Sequence, residues 1–282
     1  MPLELQRFTD PIAFRDAVDA YLHANLNVCS QLFAIAKNLT DEHVRDRQVW
    51  LARLHHAGQT CGLALISTAP PIRLLNVSPI DDEGAALIVA AVAADGIKVN
   101  GVHGSVHTVS LLAKHLNAQT SERTRLGNHV LDTPRLQLPC AGRMRAATLD
   151  DYDLLLAWEV DFVLECGLPD NRATLPAEIM ERLTGAAKLA WIWEVDDTPV
   201  AMALGRPCQP IARIGMVYTK PGHRGNGYAG ALVAELSAQL QAQGCNSVFL
   251  FTDLANPTSN GVYRRIGYRF LDEFILLDVN QP

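Results

Sequence analysis

The 282-residue sequence predicts an α/β (α+β) protein in two similarly built halves. Three observations carry that expectation. Hydrophobic residues make up 49% of the chain and charged residues 19%, enough material for sizeable buried cores. A pattern of strand, tight turn, strand, loop and strand occurs twice, over residues 49–79 and again over 189–221. An Ala- and Leu-rich helix follows each pattern, one over Ala85–Ala94 and one over Ala229–Gln243.

In the first half the strands are Val49–His55, Cys61–Ile66 and Ile72–Val77, joined by a turn at Ala57-Gly58-Gln59 and a loop at Pro70-Pro71. In the second half they are Leu189–Val195, Val200–Leu204 and Ile211–Thr219, with a turn at Asp196-Asp197-Thr198-Pro199. Gly96 and Gly244 stand where helix-ending glycines belong. Asn246–Thr252 is a continuous apolar run and predicts a buried strand. A short helix around Ser259–Ile266, stopped by Gly267, leads to a last strand from Tyr268. Pro139–Arg143 is short and turn-like, so the boundary is placed there, between domains 1–138 and 143–282. Thr148, with Asp151 three residues on, predicts a capped helix start.

The stretch Lys220-Pro221-Gly222-His223-Arg224-Gly225-Asn226-Gly227-Tyr228-Ala229-Gly230 lies between a strand and a helix. Glycines there free backbone N–H groups to converge on an anion, and the helix dipole favours negative charge. Arg224 adds a cation, so the chemistry suggested is phosphate or pyrophosphate. The spacing of Gly225, Gly227 and Gly230 also fits the dinucleotide fingerprint. Three features oppose a nicotinamide site. Lys220–Arg224 intervenes between strand and first glycine, the preceding strands form an antiparallel meander, and residues 231–282 are too few for the rest of a doubly wound sheet.

Arg224-Gly225-Asn226-Gly227-Tyr228-Ala229 fits R-x-x-G-x-[G/A], and Asn256, Tyr263 and the Gly267-Tyr268 pair follow at the matching separation. Over about residues 143–282 the chain resembles the GNAT superfamily of N-acetyltransferases. The resemblance implies a mixed, mostly antiparallel central sheet flanked by helices, and acetyl-CoA as acyl donor. It implies that Val217 and Thr219 offer backbone groups to the pantetheine arm from a splayed strand, with Tyr218 pointing the other way. Backbone amides of Arg224, Gly225, Asn226, Gly227, Tyr228, Ala229 and Gly230 would hold the pyrophosphate, and Asn256 would bond the cofactor arm. Tyr263 would be the general acid for the departing thiolate, and the Val217 N–H a donor to the oxyanion. The glutamate the family places on a central strand is missing: Met216 stands on the earlier strand, Phe251 and Thr252 on the later one. Glu194, Asp253, Asp161 and Glu165 are candidate bases by sign alone, and none is assigned.

The first half reads as a degenerate copy. Where the second has its glycine loop, the first has Ile80-Asp81-Asp82-Glu83-Gly84, and its acids would repel a phosphate by several kcal/mol at about 4 Å and an effective dielectric of about 20. Asn100-Gly101-Val102-His103-Gly104 resembles a segment found in the inactive half of tandem GNAT proteins. Such a half could cover the acceptor side or make a dimer, and monomer and homodimer both stay open.

Net charge is −6, from 24 Lys+Arg against 30 Asp+Glu, which opposes nucleic-acid binding. Asp150, Asp151, Asp153, Glu159, Asp161, Glu165, Asp170, Glu178 and Glu181 crowd a region that borders the acceptor in this family, which suggests a cationic, amine-bearing small molecule. Six scattered cysteines show no metal spacing and read as buried free thiols; no metal site is expected. The longest apolar run is about half a bilayer span, and the start lacks a secretory pattern, so a cytoplasmic protein without membrane contact is expected. The leading reading is an acetyl-CoA-dependent N-acetyltransferase; the alternative is a non-catalytic acyl-CoA sensor or scaffold.

Overall fold

A computed structural model describes residues 1–39, 49–66, 73–133, 140–168, 172–185 and 189–280. The Pro70-Pro71 loop and Pro139 lie outside the described residues. Two compact units emerge, one of Met1–Asn128 with Asp253–Ala255 and Leu271–Pro282, the other of His129–Thr252 with Asn256–Phe270.

The first unit runs β1 (Glu4–Phe8), α1 (Pro11–Ala24), α2 (Leu26–Lys37), β2 (Trp50–His56), β3 (Gln59–Ile66), β4 (Leu74–Val77), α3 (Asp82–Ala94), β5 (Gly101–Ser105), α4 (Val106–His115) and β6 (Gln119–Leu131). Its meander is the expected one: β2 pairs β3, and β3 pairs β4, both antiparallel. The β2–β3 turn has Ala57 at φ 48° and Gly58 at φ 84°, the two left-handed residues that match the twist of a tight hairpin. β4 and β5 then run parallel, Asn76 opposite His103. The core gathers Trp50, Leu54, Leu75, Ile88 and Val102.

The second unit runs β7 (Arg143–Ala146), α5 (Tyr152–Glu165), α6 (Leu175–Thr184), β8 (Ala190–Val195), β9 (Thr198–Cys208), β10 (Ile211–Thr219), α7 (Tyr228–Ala242), β11 (Ser247–Asp253) and α8 (Pro257–Arg265). Its strands stand in the order β11-β10-β9-β8-β7, antiparallel except for the β10–β11 pair. The β8–β9 turn repeats the first hairpin's geometry, with Asp196 at φ 48° and Asp197 at φ 58°. The Thr148 N–H donates to the Asp151 carboxylate at 2.8 Å, the cap expected before α5.

Apolar side chains alternate between the two faces of this sheet. Ala212, Ile214, Val248 and Leu250 pack on α7 through Leu232, Leu236 and Leu240. Ile192, Met202 and Leu204 pack on α5 and α6 through Leu155, Trp158 and Ile179. Each fully buried leucine contributes ~1.5–3 kcal/mol. A Cβ at Gly205 would meet the Leu236 side chain at 3.0 Å, so glycine there lets α7 lie close on β9.

The units differ from contiguous halves cut at 139–143. The last strand, β12 (Arg269–Asn280), pairs antiparallel with β5, Phe274 opposite Ser105 and Asp278 opposite Gly101. Its Ile275 and Val279 enter the first core. Residues 129–133 conversely fall in the second unit. A strand joins the sheet edge whose unpaired backbone groups and apolar face it completes, whatever its place in the chain.

Candidate functional site

The site begins with an irregularity in β10. Gly215 faces Leu204 and Tyr218 faces Met202, so Met216 and Val217 together oppose one residue of β9. Met216 adopts φ 51°, a left-handed conformation that costs a non-glycine residue about 1–3 kcal/mol. This bulge shifts the side-chain alternation by one residue. Ala212 and Ile214 face α7, whereas Tyr218 packs with Trp158 and Leu155 on the α5 face. The parallel ladder with β11 covers Ile211–Ile214 against Ser247–Leu250 and ends where the bulge begins, so the strands part there.

The Lys220 N–H donates to the Val200 carbonyl of β9 at 3.1 Å. By the two-residue period of a strand, Val217 and Thr219 turn their N–H and C=O groups away from β9, toward the side β11 has left. The Thr219 carbonyl there accepts Arg224 Nε at 2.9 Å.

Residues 220–227 form the glycine loop. His223 N–H donates to Lys220 O at 2.9 Å and Arg224 N–H to Pro221 O at 3.3 Å, so the Arg224 amide is already engaged. Among the described residues, the N–H groups of Gly225, Asn226, Gly227, Tyr228, Ala229 and Gly230 meet no backbone acceptor, and the first helical bond of α7 runs from Ala231 N–H to Gly227 O. Gly225 and Gly227 sit at φ 82° and 84°, and nothing lies within 4 Å of a Cβ placed on either. These left-handed glycines and an uncapped helix N-terminus make a concave row of donors suited to an oxyanion. Gly230 has a second duty, for its Cβ would stand 3.2 Å from Val262 of α8. The Asn226 amide donates to His223 O and Arg224 O, at 3.1 and 3.3 Å, and so braces the loop from within.

The Arg224 guanidinium lies 5.6 Å above the Tyr218 ring and donates through Nη2 to both oxygens of Glu165, at 2.8 and 2.7 Å. Glu165 raises its pKa further above the ordinary arginine value. Sequence reasoning missed this pair, and the spacing of Trp158, Asp161 and Glu165 on α5 is the signal that could have found it.

Asn256 caps α8, its side-chain oxygen accepting the Ser259 N–H at 3.1 Å, with Pro257 in the first turn. Tyr263 on α8 is 7% exposed, packs edge-on against Tyr268 at 6.0 Å, and has no hydrogen bond from its hydroxyl among the described residues. Burial, then the nearby Cys166 sulfur, pushes its pKa well above the ordinary phenol value, so it stays protonated and able to donate.

The acids have partners. Glu194 accepts Arg145 Nε at 2.5 Å on β8, and Asp151 accepts the same guanidinium at 2.6 and 2.7 Å. Glu159, fully buried, pairs with Arg182 at 2.7 and 2.6 Å, and Glu178 takes the other end at 2.8 Å. Asp161 accepts the Tyr218 hydroxyl at 3.3 Å. In the first unit, Asp253 accepts the Ala255 N–H at 2.8 Å. Asp151, Glu159, Glu165 and Glu178, four of the eight described acids in 150–181, are thus held in internal ion pairs; Asp170 lies outside the described residues.

The corresponding place in the first unit is built differently. Residues 78–81 alone separate β4 from α3, and the Asp81 side chain accepts the Gly84 N–H at 2.9 Å. His115 and Lys114 approach Asp82 at 3.3 and 3.9 Å. His103 is buried against Phe274 at 5.6 Å, and His107 is exposed on α4.

All six cysteines are free, and Cys61 and Cys166 are exposed rather than buried. Among the described residues no cluster of three His, Cys, Asp or Glu could hold a metal, and no helix is long and apolar enough to cross a membrane.

Residues 155–268 match the acetyltransferase (GNAT) family. An acetyltransferase of Yersinia pestis (strain Pestoides F) is 26% identical over 128 residues, 45% of this chain and 87% of that protein. Two solved structures share the fold. A GNAT-family acetyltransferase from Colwellia psychrerythraea has a TM-score of 0.66 at 12% identity, covering 99% of this chain and 100% of that one. A tandem GNAT protein from the clavulanic acid biosynthesis pathway has a TM-score of 0.59 at 13% identity, covering 100% and 99%.

Proposed function

We propose, starting from a chain that belongs to the acetyltransferase (GNAT) family through residues 155–268, that it transfers an acetyl group from acetyl-CoA to the primary amine of a small molecule by direct attack in a ternary complex. The observation that carries this reading is the row of unengaged N–H groups from Gly225 to Gly230 at the α7 N-terminus. Its donors and the open space beside Gly225 and Gly227 fit a diphosphate. Acetyl-CoA would supply the activated acyl carbon. Val217 and Thr219 would hold the donor's amide-bearing arm along the opened edge of β10, and the Val217 N–H would meet the oxygen that gains charge during attack. As the C–S bond breaks, Tyr263 would donate its phenolic proton to the sulfur. The amine must arrive neutral, and its surplus proton leaves to solvent.

The first unit is read as unable to bind acyl-CoA, because Asp81 occupies the helix N-terminus that a phosphate would need. One observation favours the second reading, a non-catalytic acyl-CoA binder: Met216, Phe251 and Thr252 stand on the parted strands where the family places a glutamate. Calorimetric titration of acetyl-CoA beside NAD, followed by an amine screen, tests all of this. One acetyl-CoA site per chain with turnover is expected. Two sites would overturn the silent first unit, binding without turnover would select the sensor, and no binding would remove the donor site.

A further inference from the structure

Helix α5 meets the donor strand through one stripe, Trp158, Asp161 and Glu165, spaced i, i+3 and i+7. The Trp158 and Tyr218 rings lie 5.9 Å apart, and the Tyr218 hydroxyl donates to Asp161 at 3.3 Å. Arg224 spans from Thr219 O, at 2.9 Å, to Glu165, at 2.7 Å. Two carboxylates four residues apart thus grip two consecutive features of the donor site, the end of β10 and the glycine loop.

We infer that Glu165 and Asp161 are positioning residues for the donor site, Asp161 through the Tyr218 hydroxyl and Glu165 through the Arg224 side chain, which is a tie rather than a ligand of the diphosphate. The loop needs such a tie. Its Asn226 side-chain bonds are internal, and among the described residues the loop beyond Lys220, apart from Arg224, is held from outside by a weak bond from the Cys140 thiol to Asn226 O at 3.7 Å, while Gly225 and Gly227 carry maximal backbone freedom. A row of N–H groups that converged only part of the time would lose its ordering entropy on every binding event. Anchoring the loop to α5, itself fixed by the buried Glu159–Arg182 pair, makes that loss once, on folding. The functional half of this inference rests on the proposed acyl-CoA donor; the structural half does not.

A double-mutant cycle separates the roles. If the pair is a tie, Glu165→Ala, Arg224→Met and the double variant each raise the KM for acetyl-CoA by about the same two- to five-fold, the scale of an exposed ion pair, with kcat unchanged. If Arg224 is instead a phosphate ligand and Glu165 its competitor, Arg224→Met raises KM while Glu165→Ala leaves or lowers it, and the inference is overturned. Amide exchange of residues 225–230 in the ligand-free protein gives a readout independent of the donor. Faster exchange in Glu165→Ala is expected, and unchanged exchange overturns the tie. Faster exchange in a protein that binds no acetyl-CoA would keep the tie and remove the donor reading.

Discussion

Helices α3 and α7 follow equivalent meanders, yet their N-termini are opposites. At α3 an aspartate fills the end: Asp81 adopts an extended backbone and its carboxylate takes the Gly84 N–H, with only residues 78–81 between strand and helix. At α7 a left-handed glycine, Gly227, stands in the cap position without a side-chain bond, behind the longer loop 220–227. Every helix begins with N–H groups that lack partners. The first unit satisfies one of them, that of Gly84, from within, whereas among the described residues the second gives its own no side-chain cap. What separates the two helix starts is the cap residue and the length of the loop before it.

That contrast can be attacked from both sides. The largest effect should come from Tyr263→Phe, which keeps the packing against Tyr268 and removes the proton donor; kcat should drop about 10²–10⁴-fold in steady-state assays with acetyl-CoA binding preserved. Next, Gly227→Val places a branched side chain at φ 84° among the donors and should weaken acetyl-CoA binding at least about ten-fold by calorimetry, with strain of ~1–2 kcal/mol contributing. Asp81→Ala removes a cap and should cost ~0.5–2 kcal/mol of stability, read as a lower thermal midpoint, while turnover stays unchanged. Smallest of all is the effect of neutralising Asp81, Asp82 and Glu83 together to amides: binding should stay at one site per chain, because the short loop lacks the N–H row. A second site would mean that charge alone silences the first unit. The pH profile sharpens the comparison further. Burial raises the Tyr263 pKa, so the unfolded chain releases that proton first, at about pH 10. Its contribution to stability is full below pH 10 and lost above it, and kcat should show no tyrosine-linked fall below that point.

The meanders, the glycine loop and α7 were legible because their signals are local: alternation, turn residues and a helix-ending glycine. Tyr263 and Asn256 were legible through a motif, although Asn256 turns its side-chain oxygen to the helix it caps. The bulge was not, since nothing about Met216 announces a left-handed backbone; it exists because β9 holds Gly215 and Tyr218 on either side of it. Nor were the fates of the acids. Glu159 meets Arg182 and Glu165 meets Arg224 across separations of 23 and 59 residues, and sign without a partner reads as surface charge. Strand β12 defeated a linear boundary for the same reason, because its sequence is a good strand but names no neighbour.

The placement of β12 carries a consequence for how the protein is made. A ribosome delivers residues 1–128 long before it delivers residues 271–280, yet the first unit's sheet needs both, since Ile275 and Val279 finish its core. During synthesis the nascent first unit therefore waits with the flank of β5 uncovered while the whole second unit emerges. The second unit can be complete in outline before the first is, and stalling or truncation near the end of translation would damage the part of the molecule that was made first.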